Sequence, residues 1–370
     1  MKSSILLSLG TAAVLFTACE KTTETPYTVP TTYSFDNVSY TGQLNRLDMM
    51  GEITTYIKTA HVLGAAALDA TKLKDMYADN TGNHFSTTAL NSSTKQLKNK
   101  TVVNAQTRFD SYFDAVAANS QATGATASSG VAGIGTSNAG KNYLFNANGV
   151  EWAQVIEKEL MGACFYYQGT AVYLGAGKMD VDNETVELGE GTAMEHHWDE
   201  AFGYFGVPKD FPTNKTGLVF WGKYVDKHET VYPLNQRIMD AFLKGRAAIS
   251  ANDLTTRDEQ IALLRKDWEL VVAATSIYYL NNAKASLAGG DPVAAYHGLS
   301  EVYGFISALK YGAGTGSITI TNVDDLLTAL FGSADAMQAN NYNVTDAKIE
   351  AAKTSLVTYF ADLADVKDQL

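Results

Sequence analysis

The chain has 370 residues, and 40 acidic against 28 basic side chains give it a formal net charge of −12. A surface this acidic disfavours nucleic acid or anionic lipid headgroups as partners and favours cations. The length suits one large domain or two.

Residues 1–18 read as a lipoprotein signal peptide. Met1-Lys2 is a short basic start, and residues 5–16 are an apolar run too short to span a bilayer as a mature helix. Phe16-Thr17-Ala18-Cys19 resembles a bacterial lipobox, which implies cleavage before Cys19, lipidation of its sulfur and anchorage to the membrane of the cell envelope. Several acyl chains hold firmly because each buried methylene adds about 0.8 kcal/mol. Residues 19–32 follow as a polar tether, kept extended by Pro26 and Pro30. Only Cys164 remains downstream, so residues 33–370, expected to be a single helical domain, have no internal disulfide. Cys164 itself lies in an apolar run and reads as a small buried residue.

Residues 33–40 alternate apolar and polar side chains, as in a short strand or an extended arm. Leu44, Leu47, Met50, Ile53, Ile57 and Ala60 then set a helical period from 42 to about 68, and Phe109, Tyr112, Phe113 and Val116 set another over 102–118. Together they make an N-terminal helical part, 33–115. Residues 116–141 are reduced largely to Ala, Gly, Ser, Thr and Asn, as in a linker or a loop lying on the surface. Gly135 to Lys141 approaches a phosphate-binding loop but is followed by Asn142 instead of Ser or Thr, which excludes it.

Residues 142–370 read as a duplicated helical core. Residues 151–174 form a long apolar helix, 182–191 an acidic loop, and TAMEHHWDEAFGYFG (192–206) a helix. Residues 221–229 look loop-like. Helices are expected over 233–250, 257–287, 322–331 and 345–366, and one running to about 311 starts with Asp291-Pro292 as cap and first turn. Strand patterning is scarce. The fold class is mainly α: a helical bundle with internal pseudo-duplication.

The duplication rests on one pattern. His196-His197-Trp198-Asp199-Glu200-Ala201-Phe202-Gly203 and His297-Gly298-Leu299-Ser300-Glu301-Val302-Tyr303-Gly304 both read His-x-x-x-Glu-x-aromatic-Gly. Positions i, i+4 and i+7 share a helix face. A mid-helix glycine costs about 1 kcal/mol relative to alanine, so two at matching positions suggest close approach of the helices. If the two helices cross, two imidazoles and two carboxylates converge. That donor set suits iron, zinc or manganese better than calcium. The expected metal ligands are His196 or His197, Glu200, His297 and Glu301, with Glu195 and Asp199 orienting an imidazole from outside. The alternative is buried His–Glu pairs that satisfy each other without a metal. His61, His84 and His228 read as surface or loop residues.

The lipobox, the 33–43 segment, Gly149-Val-Glu-Trp-Ala-Gln154 and the two histidine motifs together resemble the bacterial lipoprotein family called domain of unknown function 4856. More distantly the chain is similar to the imelysin-like group of iron-regulated surface proteins. That resemblance implies a two-lobed bundle and a metal bound through His-x-x-Glu, here His197 to Glu200. The resulting expectation is a lipid-anchored envelope protein that binds a transition metal, iron first, or a metal-bearing ligand in metal acquisition. It is more a binder than an enzyme, and an outer-membrane transporter is a possible partner. Two other classes stay open. One is a glycan-binding surface lipoprotein, favoured if Trp198, Trp221 and Tyr224 lie exposed. The other is an imelysin-like metallopeptidase, although no His-Glu-x-x-His occurs.

Overall fold

The computed structural model describes residues 27–78, 81–314 and 316–370. Residues 1–26, where the signal peptide, Cys19 and the start of the tether are expected, lie outside the described residues. Among those described, the chain is mainly helical with one small hairpin.

The helices are α1 (Thr41–Lys58), α2 (Ala70–Ala78), the single turn α3 (Thr88–Asn91), α4 (Val103–Asn119), α5 (Trp152–Leu160), the single turn α6 (Ala176–Met179), α7 (Ala193–Phe205), α8 (Trp221–His228), α9 (Asn235–Ser250), α10 (Leu254–Ala288), α11 (Pro292–Ala308), α12 (Ile320–Phe331) and α13 (Asp346–Tyr359). Their starts follow capping chemistry. Asp291 accepts from the Ala294 amide at 3.0 Å ahead of Pro292, and Asp253 accepts from the Thr256 amide at 3.1 Å.

The organising element is the rod made by α5 and its continuation, Met161–Tyr173, which is wound as a π-helix. Most of its buried residues are apolar, but Gln154, Lys158, Glu159, Gln168 and Thr170 are buried with them. Helix α11 runs beside the start of the rod in the same direction: the Glu151 amide donates to Ser300 Oγ at 2.9 Å, and Gly162 abuts Ala308 further on. Helix α7 runs beside the other end in the opposite sense, Phe165 stacking on Tyr204 and Tyr173 facing His197. The long α10 turns back into α11 through Gly289–Gly290, Gly290 taking a positive φ of 72°. Helix α9 packs between α10 and α7, and α1 and α4 cover α5 from the N-terminal side. One continuous cluster of buried apolar side chains runs from Tyr33 to Leu370.

Several expectations are corrected. Of the expected loop 221–229, Trp221–His228 form α8, anchored by Trp221, whose indole donates to the Met161 carbonyl at 3.2 Å. The Gly/Ser/Ala-rich stretch contains β1 (Gly133–Thr136), paired antiparallel with β2 (Asn142–Phe145), and Ile134 is buried there. Of the two readings of residues 33–40 the arm holds, with a turn at Asp36–Asn37 and no strand; Tyr33 is fully buried, stacked on Phe202 at 3.7 Å. Helix α1 stops at Lys58, with one 3-10 turn to His61, short of 68.

Candidate functional site

The loop from Asp182 to Gly191 delivers the chain to Thr192, which caps α7 in a reciprocal arrangement. Its hydroxyl accepts from the Glu195 amide at 3.2 Å, and Glu195 Oε2 accepts from the Thr192 amide at 3.0 Å. Gly206 ends the helix in the left-handed region at φ 82°. Between those ends, successive side chains take different surroundings.

Glu195 and Asp199 both turn to Arg246 of α9, not to an imidazole. Arg246 is 1 % exposed; its Nη1 donates to Glu195 Oε1 and its Nε to Asp199 Oδ1 at 3.0 Å. Tyr33 OH donates to the same Asp199 oxygen at 2.7 Å, leaving Oδ2 without a partner among the described residues. Burial outweighs the pull of Arg246 and Tyr33, so the Asp199 carboxyl is pushed up to about 6. The expected ligand-orienting role of these two acids is therefore replaced by a buried arginine clamp that fixes the arm and α9 to α7.

His196, His197 and Glu200 are brought together. Glu200 Oε2 lies 3.1 Å from His197 Nδ1 and 3.9 Å from His196 Nε2, and Glu200 Oε1 accepts from Gln43 Nε2 at 2.7 Å. Burial raises the Glu200 pKa, but the His197 contact, the His196 charge and hydrogen bonds from Gln43 and Tyr173 outweigh it and hold the carboxylate below its ordinary 4.5. His196 Nδ1 is buried with no hydrogen-bond partner among the described residues. Both imidazoles line a cavity of about 260 Å³ whose other wall includes Asp182, Glu187 and Glu190 of the acidic loop.

His297 and Glu301 belong to a different neighbourhood. His297 Nδ1 lies 2.5 Å from Glu151 Oε2, and Tyr143 of β2 stacks on the ring at 4.1 Å. His61 Nε2 approaches the other Glu151 oxygen at 3.7 Å. Glu151 is fully buried; burial alone would raise its pKa, but the two histidines and Gln154 lower it, while Glu151 in turn raises that of His297 against the effect of burial. Glu301 Oε1 is 3.8 Å from Lys158 Nζ, and its Oε2 has no partner among the described residues. Burial pushes the Glu301 carboxyl up despite Lys158 and His297.

The expected convergence of the two motifs is thus corrected. His297 sits against Glu151 at the start of the rod, whereas His197 faces Tyr173 at its end. At a rise of about 1.5 Å per residue along α5 and less along the π-wound part, the length from 151 to 173 still separates them by on the order of 25–30 Å. The paired glycines do mark close approaches, but to different partners. A Cβ on Gly203 would meet Tyr40 at 2.8 Å, and one on Gly304 would meet Lys158 Cβ at 2.5 Å. Among the described residues, no three His, Cys, Asp or Glu side chains form a group that could hold a metal ion.

Other side chains depart from their expected places. His228 is buried and bonded to Thr275 Oγ1 at 3.0 Å, and His61 joins the Glu151 cluster. Trp198, Trp221 and Tyr224 are buried, so they offer no shallow aromatic face of the kind a sugar would stack on. The buried arginine clamp and the Glu151 bridge escape sequence reading because they join residues 47 to 166 positions apart. Their one visible trace is an arginine, Arg246, inside an otherwise apolar helical stripe.

No curated protein and no solved structure matches the chain. The family model described as "Domain of unknown function (DUF4856)" matches residues 30–360, nearly the whole chain, and the protein belongs to that family.

Proposed function

We propose that this chain is a lipid-anchored envelope protein that captures a transition metal, iron foremost, as a metal-bearing ligand at the pocket beside the start of α7. The supporting observation is the His196–His197 pair on the wall of an acid-lined cavity. Two imidazoles and Glu200, already committed to Gln43, cannot enclose a bare ion. They can add nitrogen donors to a metal that arrives with most of its coordination sphere filled. His197 uses only Nδ1 on Glu200, and His196 Nε2 stands 3.9 Å from that carboxylate, beyond hydrogen-bond length, so each ring keeps its Nε2 to offer. The carboxylates of Asp182, Glu187 and Glu190 favour cationic complexes. Handing the cargo to an outer-membrane transporter would complete a metal-acquisition role.

The test incubates tag-free protein with the zinc or iron(II) complex of diethylenetriamine, a neutral tridentate chelator that leaves the complex cationic and with coordination positions open, followed by desalting and elemental analysis. The wild type and His297→Ala retain metal, and His196→Ala/His197→Ala loses it. Equal retention by the double variant and the wild type, or none by the wild type, refutes the reading.

A further inference from the structure

On the far side of the rod, Arg108 of α4 is held from one side only. Glu159, which is 1 % exposed, accepts from Arg108 Nη1 at 2.8 Å, from Tyr311 OH at 2.8 Å and from Tyr112 OH at 3.2 Å. The Tyr311 hydroxyl also accepts from Arg108 Nη1 at 2.8 Å. Among the described residues, both Arg108 hydrogen bonds use Nη1, so its Nε–Nη2 edge is uncommitted while the group is fixed in place. This arginine lines a cavity of about 590 Å³, a size within the roughly 300–1,000 Å³ of small-molecule sites. Lys310, Asp324, Asp335, Tyr167 and Ile320 line it too, with the Lys310 ammonium 2.6 Å from Asp324. Tyr167 lies on the π-helical half of the rod, a rare winding that is frequent at functional sites.

We propose that this cavity binds a small zwitterion of the amino-acid or short-peptide class. Its carboxylate takes the open edge of Arg108, its ammonium lies toward Asp324 and Asp335, and its apolar side chains rest on Tyr167 and Ile320. The guanidinium fork matches a carboxylate in two parallel hydrogen bonds, and a preorganised fork loses little entropy in making them. Charge sign selects the class. A purely anionic ligand would face two aspartates, and a purely cationic one would face Arg108 and Lys310, so each is penalised by like charge. Only a molecule carrying both charges satisfies both walls. Glu159 beneath the floor already balances Arg108, so the site does not draw anions in general.

The probe is leucyl-leucine, titrated calorimetrically into chelator-treated protein beside its N-acetyl and C-amide forms. No metal and no part of α7 takes part, so this result stands or falls separately from metal capture. The free dipeptide binds, and each blocked form binds about tenfold or more weakly, as expected for losing one charge-assisted hydrogen-bond pair. Asp335→Asn, on the exposed rim, weakens the free dipeptide and leaves the N-acetyl form unchanged. Arg108→Gln abolishes the preference for a free carboxylate; should that variant fail to fold, Asp335→Asn decides alone. No binding up to about 10 mM, at which a complex is worth less than 3 kcal/mol, overturns the proposal. So does equal binding of all three forms, or an Asp335→Asn variant indistinguishable from wild type.

Discussion

Two glycines six residues apart on α11 predict opposite effects of the same substitution. Alanine in place of a helical glycine ordinarily stabilises by roughly 0.5–1 kcal/mol, because the unfolded chain loses more freedom at glycine. At Gly298 a new Cβ would find Ala283 at 3.8 Å, an ordinary contact, and the gain should appear in full. At Gly304 it would lie 2.5 Å from Lys158 Cβ, 3.1 Å from the Glu159 amide nitrogen and 3.3 Å from the Gln154 carbonyl oxygen. Backbone atoms cannot rotate aside, so α11 must move off α5. Overpacking of this kind costs about 1–3 kcal/mol, outweighing the helical gain. Urea titration followed by circular dichroism should place the midpoint of Gly298→Ala above the wild type and that of Gly304→Ala below it, with unchanged slopes. A Gly304→Ala protein as stable as the wild type would show that α11 does not press on the rod here, and with it the location of His297 and Glu301 would fall.

The Glu151 bridge predicts a pH signature. His297 is raised in the fold, so its contribution is complete below its ordinary 6.5 and fades as pH climbs through the raised value. Glu151 is lowered, so its contribution is complete above 4.5 and is lost as pH falls through the lowered value. The pair is thus worth most between those limits, with a shallow rise toward 6.5 from His61, whose pKa burial lowers. Glu151→Gln should cost about 1–3 kcal/mol in that window, discounted because the His297 side chain is 24 % exposed, and should flatten stability profiles measured from pH 4 to 8. Arg246→Met should be harsher, about 3–5 kcal/mol by denaturant unfolding, since it strands two carboxylates in a dry setting. Asp199→Asn should be milder, because the Asp199 carboxyl already titrates near 6.

Periodicity made the helices legible because each buries one stripe, and capping residues such as Asp291-Pro292 marked where they begin. It failed where local composition and tertiary setting disagree. Residues 221–228 do carry a helical stripe, Trp221, Tyr224, Val225 and His228 at i, i+3, i+4 and i+7 and all buried, but two turns set between loop-like stretches are too short to stand out. The π-winding of 161–173 left no mark, since it conserves an apolar run while shifting which residues share a face. The shared face of His196, Glu200 and Gly203 was legible, and so was that of His297, Glu301 and Gly304. What each face meets was not, because that depends on the direction in which each helix meets the rod.

The repeated His-x-x-x-Glu-x-x-Gly face therefore reads first as a solution to helix packing. In both copies the glycine admits a neighbouring element, and the polar residues one and two turns earlier find partners on it or beside it: Gln43 for Glu200, and Glu151 and Lys158 for His297 and Glu301. The copies then diverge in what lies over the imidazole. Tyr143 stacks on His297 and Glu151 grips its Nδ1, which closes that copy and spends it on joining the hairpin, α5 and α11. Over His196 and His197 the acidic loop stands off and leaves a cavity. A pattern kept for packing can acquire a ligand only where unused polar groups meet open space: Glu301 Oε2 is unpartnered but buried, whereas His196 and His197 line a cavity, and that difference is what favours the α7 copy for the proposed site.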